Sequence, residues 1–213
     1  MTADGMERPS SFPDVLDGLV YGLLCQATNE RNAIRQVSAM DGVYKSWRNY
    51  AGIVASGQAV LAETLQCGGL HVRKARLLMG VLTQIKARNK EYSLNHLHAK
   101  DDEDAMQELL GYTGIGPKTA SCVLALTLQR KRFVIDTHIQ RITGMLGWRP
   151  AQATVEQARA HLECRVPDEH KYALHLLFIT HGRECPACRA AGKGECELQR
   201  EIKGMGGECR WKN

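Results

Sequence analysis

No stretch of the chain approaches the run of about 20 apolar residues that crosses a bilayer, so neither a membrane span nor a membrane partner is expected. Met1 to Ser11 lacks an apolar core and does not read as a secretory leader, so an intracellular protein is expected. A nuclear location in a eukaryote and a cytoplasmic one in a bacterium both fit. No Asn-Gly turn joins two alternating runs, which leaves a β-sheet little support. Internal repeats and low-complexity tracts are missing too. The expected class is all-α.

What is present suits a folded body. The 213 residues are 44% hydrophobic, enough for one compact domain or two small lobes. A net charge of +5 suits an anionic partner without singling one out. In a reducing compartment the eight cysteines read as buried or metal-bound rather than paired. Cys25, Cys67, Cys122 and Cys164 lie in apolar stretches and read as core; the other four crowd near the C-terminus.

Helical spacing runs through the chain. Asp14 opens a stretch with Val15, Leu16, Leu19, Val20, Leu23 and Leu24 on one face. His71 to Ala87 repeats the pattern with Val72, Ala75, Leu78, Met79, Leu82 and Ile85. Asp101 to Asp104 form an acidic start for a short helix ending at Gly111. Thr154 and Gln157 form a capping-box start, and Pro167 to His181 reads as a long helix closed by Gly182.

The most informative segment is Leu109 to Gly147. Gly114 and Gly116 permit a tight turn with positive φ, and Pro117 suits the first residue of the next helix. Two helices joined in this way present loop amides and a helix N-terminus to an anion such as phosphate. Lys118 follows at once, near positive dipole ends that favour the free amine needed in a nucleophile. A plain phosphate contact is the simpler alternative for it. Asp136 stands where Phe133-Val134-Ile135 meets a new helix. Asp is a preferred N-cap, and a carboxylate held there also suits stabilisation of a positive sugar.

GIGPKTA followed by VIDTHIQRI resembles the signature of the endonuclease III group in the helix-hairpin-helix (HhH-GPD) DNA glycosylase superfamily. The likeness extends from about Ser11 to Cys196. It implies a two-lobed helical body: residues 14–129 form one lobe, and 1–13 with 130–213 form the other. It implies catalysis by Lys118 and Asp136. It also implies DNA contacts by Gln26, filling the gap left by an extruded base, by Leu70 as the wedge, and by Lys74, Gly114, Gly116 and Thr119. A lysine at this position implies a glycosylase with AP lyase activity in base-excision repair. The implied partner is double-stranded DNA containing damaged bases, with oxidised pyrimidines as the substrate class and a monomer as the working state. Its two rivals are a non-catalytic hairpin module that grips phosphates, and a glycosylase for a mismatched or methylated base.

The chain departs from the family in two places. Only Met1 to Ser11 precede the first core segment, where the family has a further helix. The family's iron–sulfur loop is spaced C-x6-C-x2-C-x5-C, whereas Cys185, Cys188, Cys196 and Cys209 are spaced C-x2-C-x7-C-x12-C. A [4Fe–4S] cluster, a structural zinc and no metal therefore all stay open at these four residues. His138 is expected to pack rather than ligate, His96 and His98 to lie at the surface, and Trp148 to pack at a helix end. The Arg130-Lys131-Arg132 run is expected either to touch DNA or to complement the preceding helix end.

Overall fold

The computed structural model describes residues 12–189 and 192–204, and among them there is no strand. Met1 to Ser11, expected in the second lobe, and Cys209 lie outside the described residues. The chain separates into two compact units, Met1–Arg130 and Lys131–Asn213.

In the first unit, helix α1 (Val15–Leu24) is buried almost all round, with Leu16, Leu19, Leu23 and Leu24 enclosed. Full burial of each such leucine stabilises by about 1.5–3 kcal/mol. Asp14 caps the helix by accepting the Leu16 N–H at 2.9 Å. Around it lie α2 (Glu30–Tyr44), α3 (Tyr50–Thr64), α4 (His71–Asn89), α5 (Asp102–Leu110) and α6 (Pro117–Cys122). One carboxylate stands inside this apolar set. Asp17 accepts from the Tyr50 hydroxyl and, at 2.8 Å, from Arg48 Nε. Burial, reinforced by Asp17, pushes the Tyr50 phenol far above its ordinary value, so it remains a donor.

The helix that starts at Pro117 is interrupted before Leu128. Beyond Cys122 the backbone widens into a π turn over Val123–Thr127, and Leu128 N–H reaches the Val123 carbonyl at 2.9 Å. Thr127 on this turn lies so close to α1 that a Cβ on Gly18 would stand 2.1 Å from its hydroxyl.

The second unit has its own core of Phe133, Ile135, Ile139, Ile142, Leu146, Ala158, Leu162 and Phe178. It comprises α7 (Thr137–Met145), α8 (Val155–Arg165), α9 (Asp168–Glu184) and α10 (Glu197–Gly204). Both halves of the Thr154–Gln157 capping box are formed, and Trp148 meets Phe178 edge-on with centroids 5.5 Å apart. Gly182 does not close α9, which runs on to Glu184. A Cβ there would stand 2.6 Å from His138 Nδ1, so the glycine admits a neighbouring ring rather than a turn. Two of the four cysteines expected in the core, Cys67 and Cys164, are exposed, while Cys25 and Cys122 are half-buried. Burial, with Glu30 adding to it, pushes the Cys25 thiol up to about 12.

Candidate active site and cysteine cluster

The hairpin between α5 and α6 is built from its glycines and braced by α4. Gly114 has φ +100°, and a Cβ there would lie 2.2 Å from Leu77 Cδ1. Gln84 accepts the Thr113 N–H at 3.0 Å, and Arg88 donates to the Gly111 carbonyl at 2.7 Å while covering the Tyr112 ring. Tyr112 and Ile115 point into the core, leaving Thr113, Gly114, Pro117 and Lys118 exposed. Gly116 is the N-cap of α6, so Lys118 stands on the first turn just past the hairpin. Thr119 is turned inward, and its hydroxyl accepts from Gln26 Nε2 at 2.9 Å. Gln26 is thereby fixed at the end of α1, next to Ala27 with φ 51°.

The loop before α4 holds its leucine outward. Leu70 is the N-cap of α4, left-handed (φ 53°, ψ 23°) and 45% exposed, directly after Gly69 with φ 74°. A left-handed conformation in a non-glycine residue costs roughly 1–2 kcal/mol, so the surroundings must enforce it. Gln36 on α2 does so: its amide donates to the carbonyls of Leu65 and Gly69 at 2.7 and 3.1 Å. Lys74, expected at the DNA surface, is only 3% exposed and donates to Gln36 Oε1 at 2.8 Å. Its ammonium is held below the ordinary lysine value by burial. The exposed cations on this face of the sequence are Arg73 and Arg76 instead.

In the second unit Asp136 is the N-cap of α7, accepting the Ile139 N–H at 2.8 Å. The strand-like lead-in is buried at Phe133, Val134 and Ile135 and is fixed by α9. Lys171 donates to the Lys131 carbonyl at 3.0 Å, and His175 Nδ1 donates to the Val134 carbonyl at 3.1 Å. Neither residue stood out in the sequence; a lysine and a histidine at i and i+4 on an otherwise apolar helix face are the signal. Arg130, in the first unit, donates to the carbonyls of His98 and Lys100 rather than to the preceding helix end. His96 pairs with Glu108 at 2.7 Å near the surface.

Among the described residues, three of the expected ligand cysteines meet, and a histidine stands beside them. His181 Nε2 and the sulfurs of Cys185, Cys188 and Cys196 all lie within 4.8 Å of one another. The His181–Cys196 separation is 3.3 Å. His181 stands on the last turn of α9 and Cys185 is the residue that caps its end, and a tight turn with Cys188 N–H on the Cys185 carbonyl brings in the third. Burial raises the Cys185 thiol, but N–H groups of Cys188 and Ala187 outweigh it, and the net direction is down. Cys188, buried beside the other two sulfurs, is pushed up to about 12. Arg141 from α7 donates through Nε to the Cys188 carbonyl at 2.7 Å and through Nη2 to the Gly182 carbonyl at 3.3 Å. His138 contacts Arg141 and Gly182, as a packing residue does.

No protein-family model matches the chain. A protein of Arabidopsis thaliana named as an inferred DNA glycosylase is 34% identical over 175 residues, covering 82% of this chain and 59% of that protein. Endonuclease III of Sulfolobus acidocaldarius is 28% identical over 139 residues, covering 65% of this chain and 60% of the relative. The chain thus spans about three-fifths of the length of these two proteins. In fold it is similar to endonuclease III solved in a non-covalent complex with DNA, with a TM-score of 0.71 and 19% identity over 92% of this chain and 86% of that one. The chain belongs to the endonuclease III-like group of the helix-hairpin-helix DNA glycosylase superfamily.

Proposed function

We propose that the chain is a base-excision DNA N-glycosylase with AP lyase activity, acting on oxidised pyrimidines in double-stranded DNA. The observation that carries this reading is the placement of Lys118. It is an exposed amine on the first turn after a glycine hairpin whose shape is held by Leu77, Gln84 and Arg88. Hairpin amides gripping a phosphate set the register of the DNA, and the lysine beside them then reaches a sugar rather than a base edge.

The Lys118 amine attacks the sugar C1′ as the C1′–N bond to the base breaks, with its electron pair leaving on the base, which takes up a proton. The amine gives up one proton, and its lone pair then opens the sugar ring. The C1′–O electron pair leaves on the ring oxygen, which takes up a proton, and the protonated Schiff base remains. Removal of a C2′ proton then expels the 3′ phosphate by β-elimination, and water releases the enzyme. Asp136 stabilises the positive charge that develops on the sugar and assists the proton transfers. Leu70 enters the stack where the damaged nucleotide leaves, and Gln26 meets the gap. Arg73 and Arg76, with Lys118, supply exposed cations for the phosphates, while Lys74 and Thr119 hold the framework.

A panel of labelled duplexes tests the substrate. Base release and strand nicking are expected on duplexes carrying an oxidised pyrimidine, and not on undamaged DNA. Release confined to a mismatched or methylated base overturns the substrate class. Tight binding without release from any duplex overturns the enzyme reading in favour of a phosphate-gripping module.

A further inference from the structure

The superfamily's four-cysteine loop implies a [4Fe–4S] cluster, and the residues in this chain do not fit one. Each iron of such a cluster carries its own thiolate, which holds the four ligand sulfurs roughly 6 Å apart. Here all four ligand atoms lie within 4.8 Å of one another. A single tetrahedral ion bonded at about 2.3 Å to sulfur and 2.0–2.1 Å to nitrogen brings its ligand atoms to about 3.5–3.8 Å. The observed separations, including 3.3 Å between His181 and Cys196, belong to that smaller scale. One of the four donors is an imidazole, which suits a zinc site of the Cys3His type.

We infer that His181, Cys185, Cys188 and Cys196 bind one zinc ion in place of an iron–sulfur cluster, with His181 rather than Cys209 as the fourth ligand. The local sequence favours this arrangement. Cys185, the C-cap of α9, comes about one helical turn after His181, with its N–H on the His181 carbonyl, and Cys185 and Cys188 follow as the Cys-x2-Cys pair common in zinc sites. Cys196 immediately precedes α10, whose Leu198 and Ile202 pack on the second unit's core. The ion therefore fastens the C-terminal segment to the end of α9. Three thiolates and a neutral imidazole around Zn²⁺ leave one net negative charge. The guanidinium of Arg141, bonded to the main chain at Gly182 and Cys188, stands against the same loop. Through Arg141 the centre is tied to α7, the helix capped by Asp136. The role is structural, and it does not rest on the glycosylase reading.

The full chain, purified anaerobically from cells supplied with both iron and zinc, is the material for the test, and metal and acid-labile sulfide are measured per chain. One zinc, no sulfide and no visible iron–sulfur absorption are expected. His181→Ala should drop the zinc content from one toward zero, His181→Cys should restore it, and Cys209→Ser should leave it at one. Chelation should lower the melting temperature of the wild type and leave that of His181→Ala unchanged. Iron and sulfide in cluster amounts, a folded wild type holding no metal, or loss of zinc in Cys209→Ser would each overturn the assignment.

Discussion

The ammonium of Lys74 lies 2.8 Å from the side-chain oxygen of Gln36, and the same Gln36 amide donates to the carbonyls of Leu65 and Gly69. A buried cation on α4 thus orients the amide that shapes the loop carrying Leu70. Removing either partner leaves a buried polar group unsatisfied, so Lys74→Met or Gln36→Leu should each destabilise the protein by about 1–3 kcal/mol in urea denaturation. The double variant should lose less than the sum of the two. Lys74→Met should also leave the salt dependence of DNA binding unchanged. A fall of about one in the slope of log K against log salt would instead mark Lys74 as a phosphate contact.

Gly114 has both a left-handed φ and no room for a side chain. Gly114→Ala places a methyl 2.2 Å from Leu77 Cδ1, so the leucine side chain must move, and the positive φ strains the turn whatever room it makes. The expected result is a loss of about 1–3 kcal/mol in stability together with weaker binding to duplex DNA. Unchanged binding would show that the turn does not hold the DNA backbone.

Asp136 has two separable jobs. Its side chain caps α7 at the Ile139 N–H, and its charge is assigned to the sugar. Asparagine caps as well as aspartate does, so Asp136→Asn should retain wild-type thermal stability while losing base release. Asp136→Ala should lose base release and, in addition, about 0.5–2 kcal/mol of stability. Full activity in Asp136→Asn would leave only the cap.

The Glu108 cluster makes the first unit acid-sensitive. Burial raises the Glu108 carboxyl, but hydrogen bonds from Lys100 and His96 outweigh it, and the group titrates below its ordinary 4.5. A carboxyl depressed in the folded state contributes stability above its unfolded value. That contribution fades as pH falls through the lower folded value. The urea midpoint of the wild type should therefore drop more steeply below pH 4.5 than that of Glu108→Gln, and the gap should narrow as both become neutral. Parallel curves would show that the cluster adds nothing, as exposed ion pairs often do.

The readable features were those fixed within a few residues: the helix starts at Asp14 and Asp101, the Asp136 cap, the Thr154–Gln157 box, and the positive φ of Gly114, whereas Gly116, expected to share it, is extended at φ −96°. Features set by the packing of distant segments were not readable. Lys74 looks like a surface cation until α2 supplies Gln36 beside it. Gly182 looks like a helix stop, yet α9 continues because the missing Cβ makes room for His138. His181 joins the cysteines only once α9 has carried it beside Cys185, although the His-x3-Cys-x2-Cys spacing was the available signal. The π turn after α6 has no local marker, and it fits where Thr127 meets Gly18.

Borohydride trapping on a duplex containing an oxidised pyrimidine tests the central claim most directly, because only an imine between enzyme and sugar is reduced to a stable adduct. A covalent protein–DNA band is predicted for the wild type and its absence for Lys118→Ala, with duplex binding kept within a few-fold. A band that persists in Lys118→Ala, or base release by the wild type without any trapped adduct, would contradict the assignment of Lys118 as the nucleophile.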